Sequence, residues 1–307
     1  MKKYHVSDYW NKGIKGHWNY EFVDVIVNDD NLLFIDPMLL EMAGGEWCQE
    51  AKATVKSFFD AFYESYRMKD KVKRVELLAH AGEQNGTRLG YGRGDNGKGN
   101  TANGLLDIFA PLELLLQEIS TMKKAEDLPL LIPNFAEDGL SDLLTNILHD
   151  QLNEFTLQQM KKYGIESNDS KDLWTWDREQ SCWKEIKRPS YCINGQELLI
   201  IPKQIVRKKY LFSTSQYFSR IILERIRDEG GYMDGDKPIP KKDVIKAKRF
   251  SGEHWQYDES VSYTRENNDA LNEYHQKLPS FYIENGFSMG DDELDELIYR
   301  YPVSQTA

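Results

Sequence analysis

The chain is poor in thiols: among 307 residues only Cys48, Cys182 and Cys192 are cysteines. An odd number at no metal-ligand spacing indicates neither a disulfide framework nor a thiolate zinc site. Long apolar runs are also missing, and no stretch approaches the roughly 18 residues needed to span a bilayer. The start, Met1-Lys-Lys-Tyr-His, runs into polar and aromatic sequence without the apolar region of a secretory signal, so the expectation is a cytoplasmic protein with no membrane partner. Internal repeats and low-complexity tracts are absent. So are the two common phosphate fingerprints, because the glycines at 90, 92, 94, 97 and 99 lack the Lys-Ser/Thr of a P-loop and the βαβ setting of a dinucleotide site.

What is present begins with ample core material, 40% hydrophobic and 12% aromatic residues. The net charge of −11 argues against adhesion to nucleic acid by the whole surface. Its distribution is uneven. Between Lys203 and Phe250 thirteen basic residues stand against six acidic ones, and between Glu253 and Tyr301 three stand against twelve. The first block suggests a nucleic-acid surface over residues 203–249, and the second an acidic mask for it or simply a solvated helical face.

Hydrophobic spacing predicts an α/β (or α+β) fold, a mixed sheet flanked by long helices with a smaller charged C-terminal region. The expected order starts with a hairpin over 22–35 ended by Asp36-Pro37, then a helix over 46–69 and a short apolar strand at 76–80. A second helix over 104–122, a buried strand at 128–132 and a third helix from an N-cap at Ser141 to Tyr163 follow. Beyond these come a Trp-rich meander, a turn at Asn194-Gly195, a strand at 198–201, and helices over 215–228 and 241–249. The regions implied are 1–165 (α/β with the glycine-rich loop), 166–250 (Trp-rich loop, strand and basic helices) and 251–307 (acidic tail). Trp174, Trp176, Trp183 and Tyr191 fit either a small second core or a base-stacking platform.

The segment His80-Ala-Gly-Glu83-Gln-Asn-Gly-Thr-Arg88-Leu-Gly-Tyr-Gly-Arg-Gly-Asp95-Asn-Gly-Lys98-Gly99 puts glycines and ionisable side chains together after an apolar run. Clustered glycines expose successive N–H groups to an anion, so Gly92, Gly94, Arg88 and Lys98 are candidate phosphate contacts, joined by Arg207. The alternative is an ordinary surface loop. Carboxylates at the ends of apolar segments, Asp36, Glu83, Asp138 and Asp142, are candidate oxygen ligands for Mg²⁺ or Mn²⁺, with Lys203 steadying a phosphoryl oxygen and His80 serving as a base. Each also has a plain structural reading: Asp36 as a turn former, Asp142 as a favourable first-turn charge, Asp138 as a cap, and His80 as a hydrogen-bonded strand-end residue.

The order Asp138-Gly-Leu-Ser-Asp142 followed by a segment ending in Lys203 is similar to the acidic-then-lysine order of restriction-endonuclease-like nucleases. Ile201-Pro202-Lys203 departs from that pattern, lacking a carboxylate just before the lysine. The runs Leu33-Phe-Ile-Asp-Pro37, Glu83 to Gly99, Asp138 to Ile147 and Leu198 to Arg207 together resemble a family of uncharacterised bacterial proteins of the kind found in mobile and phage-defence loci. The resemblance implies a nucleic-acid-directed role and supplies no catalytic assignment. Two functions follow as expectations: a metal-dependent nuclease of bacterial defence using Asp36, Glu83, Asp142, Lys203 and His80, or a non-catalytic sensor or interaction subunit of a defence complex. An enzyme requires the separated motifs to meet in one pocket.

Overall fold

Asp36 and Pro37 start a helix where the sequence predicts the end of a hairpin. In the structure, a computed structural model describing residues 2–91, 101–235, 237–248, 250 and 252–300, a short helix α1 (Val6–Trp10) is followed by an irregular segment, strand β1 (Phe34–Ile35) and α2 (Pro37–Met42). The predicted hairpin is intercepted by the buried side chain of Asn31. Its Oδ1 accepts from Ile26 N–H at 2.9 Å and its Nδ2 donates to Ile26 O at 3.1 Å and to Arg88 O at 2.8 Å, using backbone groups a neighbouring strand would have taken. β1 instead pairs antiparallel with Val206–Arg207 from the far end of the sequence.

Helix α3 (Glu46–Arg67) buries Val55, Phe58, Phe59, Phe62, Tyr63 and Tyr66 at spacings of three and four, as predicted. The apolar run at 76–80 is the end of another helix, α4 (Lys71–Leu78), whose first turn is capped by Asp70 accepting from Lys73 N–H at 2.9 Å. The next helix divides into α5 (Ala102–Ile108) and α6 (Leu112–Glu118) at Pro111, which has no N–H to continue the ladder. The strand predicted at 128–132 is the short helix α7 (Asp127–Leu131). Pro129 lies in its first turn, where a missing N–H is tolerated, and Asp127 accepts from Lys123 and Lys124 N–H at 2.8 Å each. The third predicted helix is two, α8 (Glu137–Ile147) and α9 (His149–Lys162), and begins before Ser141, whose hydroxyl instead accepts from Ile35 N–H at 3.0 Å.

The Trp-rich meander is a regular hairpin, β2 (Asp169–Asp177) against β3 (Cys182–Ser190). Trp176 and Trp183 lie opposite each other and pack on Phe58, so they build core. β4 (Cys192–Ile193) and β5 (Gln196–Glu197) flank Asn194-Gly195, both at positive φ (53° and 77°), the backbone of a tight hairpin turn. Residues 198–201 are fully buried and extended but join no ladder; Leu199 N–H donates to Gly86 O and Ile200 N–H to Thr156 Oγ1. β6 (Val206–Arg207) completes the pair with β1.

The remaining chain is mostly helical: α10 (Thr214–Tyr217), a π-helical turn (Phe218–Ile222), α11 (Leu223–Glu229), the small ladder β7 (Met233–Asp234) with β8 (Lys237–Pro238), α12 (Lys241–Lys248), α13 (Trp255–Glu266), α14 (Asp269–Glu284) and α15 (Asp291–Asp295), continued by a π turn (Glu296–Arg300). The acidic C-terminal region, over the described residues 252–300, is therefore largely packed helix. Asp295 accepts from His17 N–H at 2.8 Å and pairs with His17 Nδ1 at 2.6 Å, while Tyr299 OH donates to Asp24 at 2.8 Å. The basic and acidic blocks meet at Lys203–Asp291 (2.6 Å) and at Arg225 with Asp269 (2.8 Å) and Glu273 (2.6 Å). The class is mixed α/β: among the described residues long helices accompany four two-stranded antiparallel ladders, with an isolated parallel bridge between Asn31 and Leu89. Among the described residues no helix is long and apolar enough to cross a membrane.

Candidate functional site

One face of α8 fastens the segment that leads into the glycine-rich region. Asp138, Asp142 and Asn146 recur every four residues and so stand above one another on the helix. Asp138 accepts from Tyr91 N–H, Asp142 accepts from Gln84 N–H, and Asn146 Nδ2 donates to Gly82 O at 2.6 Å. The approach is close enough to dictate sequence. Gly90 has φ +136°, and a Cβ there would lie 2.9 Å from Asp138 Oδ1.

These carboxylates also feel one another. Burial pushes Asp142 up to about 8, with the charges of Asp138, Glu83 and Asp30 adding to it and the Gln84 N–H opposing it. Asp138 is raised for the same reason, burial first and then Glu83 and Asp30. Three of the four predicted metal ligands thus share one electrostatic neighbourhood. Even so, among the described residues no three His, Cys, Asp or Glu side chains stand together as a metal-holding group, so the residues present do not form a fitted Mg²⁺ or Mn²⁺ site.

The other predicted site residues lie elsewhere. Asp36 is wholly buried as the N-cap of α2, accepting from Met38 and Leu39 N–H at 2.8 and 3.3 Å and from Tyr282 OH at 2.6 Å. His80 stacks on Trp174 with ring centroids 3.8 Å apart, and burial lowers its pKa. Arg88 is buried and donates to Val27 O and Asn85 O, which turns it inward. Lys203 donates to His17 O at 2.9 Å and pairs with Asp291. Gly92, Gly94 and Lys98 lie outside the described residues.

Arg207 is placed where a ligand can reach it. It lines a cleft of about 640 Å³ with Lys208, Lys209, Tyr91, Glu137 and Glu293. Its guanidinium donates to Phe287 O at 2.7 Å and lies 5.5 Å from the Tyr282 ring centre, which holds the side chain in position. Lys208 and Lys209 are exposed and carry no ion pair among the described residues. Tyr91, 56% exposed, donates to Glu137 at 3.1 Å and so presents an aromatic ring at the cleft, next to the loop that α8 fastens. The sequence signal for Lys208 and Lys209 was their place just past a buried apolar segment inside the basic block. Tyr91 was hidden among the glycines.

The profile of one protein family, described as a domain of unknown function (DUF8370), matches residues 13–213 and so takes in both the fastened loop and the basic cleft wall. No curated protein and no solved structure matches the chain. The chain belongs to this DUF8370 family, the match covering well over half of its length.

Proposed function

We propose that this DUF8370 protein binds single-stranded nucleic acid in the cleft at Arg207, Lys208 and Lys209, as a non-catalytic recognition subunit. The observation that carries the reading is three consecutive cations along one wall of a 640 Å³ cleft that also holds the exposed ring of Tyr91. Cations that track phosphates and an aromatic face that stacks a base are together sufficient for sequence-tolerant single-strand binding. The role in bacterial defence, with a partner protein in a complex, rests on the resemblance carried by the sequence motifs.

Fluorescence anisotropy with labelled single-stranded DNA and RNA, repeated across salt concentrations, tests the proposal. Lys208→Glu combined with Lys209→Glu is expected to weaken binding at least tenfold. The double variant should also flatten the slope of log affinity against log salt by about 1.4, the share of two phosphate contacts. Affinity that is unchanged in the double variant counts against the cleft.

A metal-dependent nuclease is the second reading, favoured by the carboxylates Asp138, Glu83 and Asp30, whose charges add to the burial that raises Asp142. A bound divalent ion relieves such repulsion, although the donors as they stand do not form a coordination group. Calorimetry with Mn²⁺ on the wild type and on Asp142→Asn separates the readings. Heat that disappears in the variant, together with strand cleavage, supports the nuclease; no heat supports the binding subunit.

A further inference from the structure

A second cavity, of about 360 Å³, opens between α2, the middle of α3 and the turn before α7. Its walls are apolar, formed by Pro37, Leu40, Val55, Phe59 and Ala125. Glu126 lies among them only 4% exposed, and apart from its own backbone N–H no group among the described residues donates to its carboxyl. At the rim stand four lysines. Lys52 is paired with Glu41 at 2.8 Å and Lys56 with Asp60 at 2.5 Å, whereas Lys123 and Lys124 carry no ion pair among the described residues.

These features select a ligand by elimination. An aliphatic anion satisfies the lysines and leaves the buried carboxyl without a donor, which is costly. A simple amine satisfies Glu126 but must pass Lys123 and Lys124, the two rim lysines that no carboxylate among the described residues compensates. What fits both ends is a ligand with N–H donors at its inner edge, an apolar-faced body against Phe59 and Leu40 and a negative group at its outer edge, in a cavity within the usual size range for small-molecule sites.

We infer that this cavity binds a nucleoside monophosphate, with the N–H edge of the base on the Glu126 carboxyl, the ring against Phe59 and Leu40, and the phosphate at Lys123 and Lys124. The site is separate from the nucleic-acid cleft and does not rest on it.

Calorimetry on the full chain with AMP, GMP, CMP, UMP and ribose 5-phosphate tests the inference. At least one nucleotide is expected to bind at one site per chain, with ribose 5-phosphate at least tenfold weaker because it lacks the base. Glu126→Gln is expected to weaken the nucleotide tenfold or more, and Lys123→Glu with Lys124→Glu, a surface pair that does not depend on repacking the cavity, to do the same. The Lys208→Glu, Lys209→Glu protein keeps full nucleotide affinity. No heat with any of the four nucleotides overturns the inference, as does binding that survives both cavity variants. Loss of nucleotide affinity in the Lys208→Glu, Lys209→Glu protein overturns it as well, by assigning the site to the cleft.

Discussion

Asp36→Ala is expected to cost about 3 kcal/mol of folding stability, the sum of a lost helix cap and a buried hydroxyl left without its acceptor. Asp36 is 0% exposed and holds two backbone N–H groups of α2 as well as the Tyr282 OH of α14. One side chain therefore joins the N-terminal part of the chain to its C-terminal helices. Asp36→Asn retains an acceptor for the cap and should cost far less. The two variants also differ with pH. Burial, outweighing the Tyr282 hydrogen bond, raises the carboxyl to about 7 in the folded chain, above its value of about 4 in the unfolded chain. A group raised on folding lends stability that is complete below pH about 4 and is lost as pH climbs through about 7. The wild type should therefore lose part of its stability between pH 5 and 8, and Asp36→Asn should lose less of it. Urea melts of the three proteins at both pH values measure this; an alanine variant within 1 kcal/mol of wild type sinks the argument.

The larger effect is expected from cutting the chain after Ser213, the end of the family match. The shortened protein should fail to form a unique packed state and should show weak near-ultraviolet dichroism, binding of an apolar dye and a broad, non-cooperative melt. Its loss is not confined to the removed helices. Asp36 loses the Tyr282 hydroxyl and keeps only its two backbone donors, the wholly buried His17 loses Asp295, and Asp24, itself 0% exposed, loses Tyr299. Removing one partner of a buried hydrogen bond typically costs about 1–3 kcal/mol, and here three are broken along with the apolar cover from Tyr274, Leu278 and Leu294. A sharp melt with a native near-ultraviolet spectrum for residues 1–213 would show that the family unit stands alone.

The amphipathic helix at 46–67, the tight turn at Asn194-Gly195 and the core role of Trp176 and Trp183 were legible because their signals are local. The segments at 76–80 and 128–132 were not. Both are short apolar runs for which helix and strand have the same pattern, and local side chains decided them: Asp70 caps the first turn of α4, and Asp127 gathers the N–H groups of Lys123 and Lys124 in the turn that leads into α7. The hairpin at 22–35 failed through one asparagine whose amide takes a strand partner's place. At the site, the N-cap predicted at Ser141 left Asp138 in the turn before the helix; because α8 begins at Glu137, Asp138, Asp142 and Asn146 stand on one helix face. That Glu83 joins them while Asp36 and Lys203 turn to α14 and α15 depends on contacts across the whole chain, which spacing does not encode.

The row Asp138, Asp142, Asn146 holds Tyr91, Gln84 and Gly82 in reverse order, so the loop runs back along α8 like a second rail. Backbone amides held by the side chains of a helix exchange with solvent when the loop lifts from that helix, and α8 itself is rooted in the core by Leu140, Leu143, Leu144 and Ile147. The ring of Tyr91 is thus in place before anything arrives. On the proposed reading of the cleft, capture of a nucleic acid needs no prior ordering of this wall, and the expected consequence is kinetic: added salt should slow arrival at the cleft far more than it hastens departure.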